Sequence, residues 1–320
     1  LGYALRATLT LLILGGLVFI LGDDRLPDIV SQITVFAFLA AFVLSVIASI
    51  VIPAVVSFVS AKRTDVEISL FRFVAINFSI RFYSLILPRA TATGVRWLKY
   101  RRAGTGVGAA TLVVLEKVVQ VFTYTAVVAA FVFVERGSLG SAGPAVIAVA
   151  AILLLVSGAG LAALLTDRID PVLRPFGFVT RLPVVGAPVG KLVTAVVSQR
   201  GWPSRDIAAL TAWSVVAYGF SVAAAWVIAD QLAVAVSLAA LTWIRGLVFL
   251  GTLIPITVAG AGIREAGFVG FLSLYDVDRS LALGFALTLL GVQIAIGSVG
   301  ALVELFGSIF ERTNRQDQPE

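Results

Sequence analysis

The chain of 320 residues contains no cysteine, no histidine and no methionine, and only 13% of its residues are charged. Each absence removes a class of chemistry. Without histidine there is no Ser-His or Cys-His nucleophile system and no imidazole metal site; without cysteine there is no thiolate zinc, iron–sulfur cluster, thioester or disulfide. Asp276 and Asp278 come nearest to a metal pair, but they lack further acidic partners and read as a solvated outer turn. No metal, no cofactor and no enzymatic activity are therefore expected.

What is present is apolar. Hydrophobic residues make up 59% of the chain and the mean hydropathy is +1.03. At about 20 residues per helical crossing, the long apolar runs leave room for about six to eight spans and no separate soluble domain. The fold class expected is all-α, a polytopic integral membrane protein forming one transmembrane domain over 1–320. Apolar runs delimit helices near 4–21, 31–59, 106–134, 140–166, 206–229 and 281–310. The first run continues into Gly22-Asp23-Asp24 without a small-residue cleavage pattern, so no signal peptide is expected, and a chain starting at Leu1 reads as trimmed at its N-terminus.

Charge orients these spans. Basic residues exceed acidic ones by six. They concentrate in Lys62-Arg63, in 89–102, in the proline-rich connection 167–205 and at Arg312 and Arg315, which the positive-inside rule makes cytoplasmic. The termini then lie in the cytoplasm and the protein in the cell (inner or plasma) membrane. Connections around Asp23 to Asp28, Glu135, Asp230 and Asp276 are poor in Lys and Arg and fall outside.

This parity puts 62–63 and 89–102 on one side, so 66–87 reads as a re-entrant hairpin. The segment 231–275, broken by Pro255, Gly260 and Gly262, either crosses twice or dips and returns. In the second case the chain is an inverted repeat: two N-terminal helices over 1–65, a hairpin with two helices over 66–166, the interfacial connection 167–205 and a reversed second half over 206–320.

Eight ionisable residues sit in or beside apolar segments: Arg72, Arg81, Glu116, Lys117, Arg245, Arg264, Glu265 and Glu304. Facing lipid, they would together cost on the order of 10–20 kcal/mol. Either they pair with one another and snorkel, or they line a polar cavity. Five are basic and three acidic, so full pairing leaves two cationic groups, enough for one phosphate or phosphodiester. In the last helix Gln293, Gly297, Gly300, Glu304 and Gly307 share one stripe, which points Glu304 toward close packing. Arg89, Arg96, Lys99 and Arg102, interleaved with Trp97 and Tyr100, read as an interfacial basic stripe with an aromatic belt rather than a nucleic-acid site.

Around Arg264 the residues make their own argument. Pro255 stops a helix, Gly260 and Gly262 permit a tight turn, and the next helix starts near Ile263 with a positive dipole end beside Arg264. Glu265 favours the same dipole and is a partner for Arg245 or Lys117. The alternative is a plain interfacial loop between two full crossings.

Leu253-Ile-Pro255, Gly260-Ala-Gly262 and Arg264-Glu265 resemble, in this order, the signature of the flippase-like family formed by the transmembrane region of lysylphosphatidylglycerol synthases and its stand-alone relatives. Glu116-Lys117 resembles a second family element, usually Glu-Arg. Leu87-Pro88 with Gly94 and Arg96 resembles a third, in which Val95 stands where the family has Glu. The resemblance covers roughly 60–305 and implies a stand-alone member without the synthase domain, which binds lipid or moves it across the bilayer.

The expected partners are the bilayer and an anionic lipid or lipid-linked substrate, with no nucleic acid. The expected substrate-binding residues are Arg264, Glu265, Glu116, Lys117, Arg245 and Glu304, with Pro255, Gly260 and Gly262 forming the hairpin turn. Two other readings remain: a membrane scaffold that partners a glycosyltransferase or lipid synthase, and an intramembrane lipid-linked transferase.

Overall fold

The computed structural model describes Gly15 and residues 25–61, 69–87, 89–105, 108–165, 203–253 and 260–316. Every regular element among them is helical. In chain order these are α1 (Leu26–Ser31), α2 (Val35–Ala61), α3 (Leu70–Ile86), α4 (Arg89–Tyr100), α5 (Gly108–Val134), α6 (Gly143–Leu165), α7 (Ser204–Gln231), α8 (Leu238–Gly251), α9 (Ile263–Leu272) and α10 (Arg279–Gln316). The expected span at 4–21, the pair Lys62-Arg63, the turn residue Pro255 and all but the end of the 167–205 connection lie outside the described residues.

Five of these helices, α2, α5, α6, α7 and α10, have spans of 22 to 28 residues long and apolar enough to cross a membrane. The protein is an all-α polytopic membrane protein. Its outer surface fits that environment, with Phe36 and Phe71 both 82% exposed and Leu155 72% exposed, a surface that water would not tolerate over so wide an area.

The four remaining long elements form two hairpins. α8 has 14 residues and α9 has 10, so they rise about 21 and 15 Å, well short of a hydrocarbon layer about 30 Å thick. Their ends meet the same carboxylate: Ser237 Oγ, just before α8, donates to Glu135 Oε1 at 2.5 Å, and Tyr275 Oη, just after α9, donates to Glu135 Oε2 at 3.3 Å. The segment 231–275 therefore dips into the protein and returns at one end of the bundle. Of the two readings open in the sequence, the dip is the one that the helix lengths allow.

The packing obeys an approximate exchange of halves. Each half consists of a long helix, a hairpin and a second long helix: α2, α3–α4, α5, then α7, α8–α9, α10. The two first helices, α2 and α7, pack against each other, α3 of the first hairpin packs on α10, and α8 of the second packs on α5. Swapping the halves keeps the first contact and exchanges the other two.

Small residues allow these close approaches, because helices in lipid associate through packing rather than by escaping water. A Cβ at Gly300 of α10 would run into the Phe78 carbonyl of α3, and one at Gly246 of α8 would run into Val128 of α5. Gly297 and Gly300 of the stripe expected on the last helix face α3.

The hairpin starts are capped alike. Ser69 Oγ accepts from Arg72 N at 3.3 Å and Ser237 Oγ accepts from Ala240 N at 2.8 Å, each satisfying a backbone donor that a helix start leaves open.

Candidate functional site

Between the two hairpins lies a cavity of about 390 Å³. Its walls come from α2, α3, α4, α5, α7, α8, α9 and α10, and they carry Arg81, Arg96, Glu116, Lys117, Arg245 and Arg264. Five of the eight embedded ionisable residues thus meet in one place. Of the others, Arg72 is exposed near the start of α3, Glu265 lies behind Arg264, and Glu304 is bonded elsewhere.

The construction begins with a proline. Pro53 stands inside α2 and has no N–H, so the carbonyl of Ser49 loses its helical donor. Asn77 of α3 replaces it, with Nδ2 2.6 Å from Ser49 O. The Asn77 Oδ1 then accepts from Arg96 Nη2 at 3.0 Å, and Arg96 Nη1 reaches Glu116 Oε1 at 2.5 Å. A backbone defect in one helix is thereby tied through two side chains to the Glu116 carboxylate of α5.

Arg96 was expected in an interfacial basic stripe. The structure corrects this: Arg96 is 8% exposed and held inside by Asn77 and Glu116. Lys99 is also committed, with Nζ 2.6 Å from Glu304 Oε2, while Tyr83 Oη donates to Glu304 Oε1 at 3.0 Å. Arg102 is exposed as expected, and the side chain of Arg89 lies outside the described residues. Val95 packs against an apolar cluster.

The second hairpin carries the Arg264 element. Gly260 has φ +74° and Gly262 φ +85°, both in the region that L side chains rarely adopt, so the turn needs glycine at these positions. α9 starts at Ile263, as its sequence predicts. Glu265 is fully buried, and its Oε2 accepts from Gly262 N at 2.6 Å. Its Oε1 accepts from Arg264 Nε at 2.9 Å and Nη2 at 2.5 Å. Arg264 Nη1 also donates to Gln293 Oε1 of α10.

These contacts correct two expectations. The partner of Glu265 is its neighbour Arg264 rather than Arg245 or Lys117, because the first turn lets the long guanidinium fold back. The start of α9 is not an open anion site, since Glu265 already holds the negative charge there.

Arg81 and Arg245 differ from the other two arginines. Arg245 Nε donates to Ser221 Oγ at 2.8 Å, and among the described residues neither Arg81 nor Arg245 has a carboxylate within 4.0 Å. Arg81 is exposed and borders the cavity. Lys117 donates to Gln120 Oε1 at 2.7 Å. Beside them Tyr124 packs on Tyr218 and on Phe249, with ring centroids 4.5 and 4.7 Å apart, and gives the wall an aromatic face.

The family model of the lysylphosphatidylglycerol synthase TM region matches residues 7–300. The chain belongs to this family. The match extends the resemblance carried by Pro255, Gly260, Gly262, Arg264 and Glu265 over nearly the whole chain and makes the protein one related to lipid metabolism or transport. No curated protein matches it at a significant level. In this lysylphosphatidylglycerol synthase TM-region chain, the family-like residues Glu116, Lys117, Arg264 and Arg96 all border the same cavity, each supplied by a hairpin or by the helix next to one.

Sequence reasoning missed Asn77 entirely and left Arg81 out of the binding set. Pro53, a proline inside an apolar run, was the signal for Asn77, because the carbonyl four residues earlier needs another donor.

Proposed function

We propose that the protein binds the anionic headgroup of a lipid in the cavity between its hairpins and lets that headgroup cross the bilayer. The observation that carries this reading is the pair Arg81 and Arg245, the first exposed and the second half-buried, which border the cavity with no carboxylate within 4.0 Å among the described residues. Charge in a low-dielectric site is costly unless compensated, and a phosphate is the natural complement of a guanidinium fork. Arg264 and Lys117, held by Glu265 and Gln120, border the same space. Glu116 and Glu265 hold Arg96 and Arg264 in place, and the acyl chains remain in the lipid outside.

The end of the bundle gathered by Glu135, with Asp230 and Asp278, is the outer one. The termini and the basic connections are cytoplasmic, and the membrane is the cell membrane. Glu304 acts away from the headgroup, as the anchor of Lys99 and Tyr83. A cation surplus at a cavity also speaks against a purely structural scaffold, in which embedded charges would be paired off.

Reconstituted vesicles with a labelled anionic lipid test the reading. Headgroup accessibility is expected to exchange faster than in protein-free vesicles and to slow at least ten-fold in Arg245→Gln. Exchange no faster than in empty vesicles sinks it.

A further inference from the structure

We infer that Ser221 is the positioning residue for Arg245: its hydroxyl fixes the direction of the guanidinium without neutralising it, so that an oriented fork of full charge meets the headgroup. The inference rests on the headgroup reading above and deepens it by assigning a residue that acts through Arg245.

Two other arginines of the cavity, Arg96 and Arg264, are held by carboxylates, Glu116 and Glu265. A carboxylate orients a guanidinium and cancels its charge in the same contact. Arg245 is held differently. Its Nε donates to Ser221 Oγ at 2.8 Å, and both residues border the cavity. A hydroxyl oxygen accepts the N–H but brings no formal charge. The donors that Ser221 does not use are those of Nη1 and Nη2, the end of the fork that can take two phosphate oxygens at once.

The frame around this contact stands without it. Tyr218 and Ser221 lie three residues apart on one face of α7, and Thr242 and Arg245 lie three apart on one face of α8. Tyr218 Oη donates to the Thr242 carbonyl at 2.5 Å, one turn before Ser221 meets Arg245. Gly246 makes room for this, since a Cβ there would come 2.7 Å from Tyr218 Oη and would run into Val128 of α5. α8 is thus fixed on α7 and α5 by groups other than the Ser221 hydroxyl. What that hydroxyl adds is the setting of one side chain.

The first half has a counterpart. Arg245 stands eight residues after the capping Ser237, and Asn77 stands eight after the capping Ser69. Asn77 bonds a serine of the long helix before it, through the Ser49 carbonyl, and also holds Arg96. Each half therefore orients a cavity arginine with a neutral polar group, placed where its first long helix meets its hairpin.

A long guanidinium side chain that is free to rotate must be ordered when the headgroup binds, and that ordering lowers affinity. Setting it beforehand with one bond is expected to raise affinity about three- to ten-fold.

The test is binding of phosphatidylglycerol to the full chain in detergent micelles, with phosphatidylcholine as the zwitterionic control and tryptophan fluorescence as the readout. Ser221→Ala is expected to weaken phosphatidylglycerol about three- to ten-fold with the thermal midpoint little changed. Ser221→Thr restores the hydroxyl and is expected to return binding to within about two-fold of the unaltered protein. Ser221→Asp orients the fork but neutralises it, and is expected to weaken binding more than Ser221→Ala does. In an Arg245→Gln background, where the fork is gone, Ser221→Ala is expected to change binding less than about two-fold.

If the unaltered protein does not prefer phosphatidylglycerol, or Arg245→Gln binds it equally tightly, the headgroup reading falls and this inference with it. If Arg245→Gln weakens binding, the headgroup reading stands, and several results overturn the positioning role alone. These are Ser221→Ala binding like the unaltered protein, effects of the two substitutions that simply add, Ser221→Thr failing to restore binding, or Ser221→Asp binding as tightly as the unaltered protein. A Ser221→Ala protein that does not fold means that the hydroxyl holds α8 itself, which overturns the role as well. The Ser221 series needs no change at Arg245, so a poorly folded Arg245→Gln protein does not blunt it.

Discussion

Asn77 Nδ2 lies 2.6 Å from the Ser49 carbonyl oxygen, the acceptor that Pro53 leaves without its helical donor. The two residues are 28 positions apart and belong to different helices, so the proline of α2 fixes where α3 packs and, through Arg96, where the cavity carboxylate Glu116 is held. Asn77→Ala leaves a buried carbonyl and one arginine N–H unmatched and is expected to lower stability by about 1–3 kcal/mol. Pro53→Ala returns an N–H to the helix. The Asn77→Ala cost is therefore expected to shrink in the Pro53→Ala background, and a double-mutant cycle on thermal unfolding in detergent measures the coupling. Strict additivity would show that the asparagine is not repairing the proline.

At Gly300 the close approach of α10 to α3 is a backbone matter. An added Cβ would run into the Phe78 carbonyl and come to 3.2 Å from Phe82 N, and neither can move without shifting a helix. Gly300→Ala is expected to cost about 1–3 kcal/mol or more through overpacking. Gly219, on α7, has nothing within 4 Å of the same added atom, so Gly219→Ala serves as the control and is expected to be neutral or mildly stabilising. Equal midpoints for the two variants would remove the packing account of the stripe.

Most of the scaffold was legible in the residues. Apolar runs near 31–59, 106–134, 140–166, 206–229 and 281–310 correspond to Val35–Ala61, Gly108–Val134, Gly143–Leu165, Ser204–Gln231 and Arg279–Gln316, because crossing lipid demands length and apolarity that few other structures need. The second hairpin was legible from the parity of charged ends, and its turn from Gly260 and Gly262. The first was expected within 66–87, where one unbroken helix, Leu70–Ile86, stands instead and Arg89–Tyr100 supplies the returning limb. Partner choice was not. Arg96 stands among surface cations in the sequence, and only the distant pair Asn77 and Glu116 draws it inside. Glu265 takes Arg264 although neighbours on a helix diverge by about 100°, since a long side chain at a first turn folds back. Pairing of this kind depends on three-dimensional proximity that spacing along one helix does not encode.

The Arg264–Glu265 pair predicts an asymmetry between charge removal and charge swapping. Glu265 has no exposed surface and holds both Arg264 and the backbone N–H of Gly262. Glu265→Gln keeps an acceptor for Gly262 but leaves Arg264 without a counter-charge, and is expected to cost about 3–5 kcal/mol, as for other broken buried pairs. Arg264→Gln combined with Glu265→Gln removes both charges and is expected to recover a substantial part of that loss. A double variant less stable than Glu265→Gln alone, by thermal unfolding, would show that Arg264 contributes through something other than this pair.

At the other end of the second hairpin, Tyr275 Oη donates to Glu135 and accepts from Trp243 Nε1 at 3.1 Å. Partial burial and the neighbouring carboxylate hold its hydroxyl in the neutral form, against the opposing effect of the Trp243 donor, and its pKa is pushed up to about 12. Ionisation would also remove the proton that Glu135 accepts, at the point where the return of the hairpin is fastened. Because the folded value lies above the ordinary tyrosine value of about 10, the stabilisation is complete below about pH 10 and is lost as pH rises toward 12. An ultraviolet difference titration of the unaltered protein against Tyr275→Phe is expected to show one phenolate appearing near pH 12. Glu135→Gln is expected to shift that step toward the ordinary value, and a step already at about pH 10 in the unaltered protein would mean that Tyr275 does not hold the hairpin end in this way.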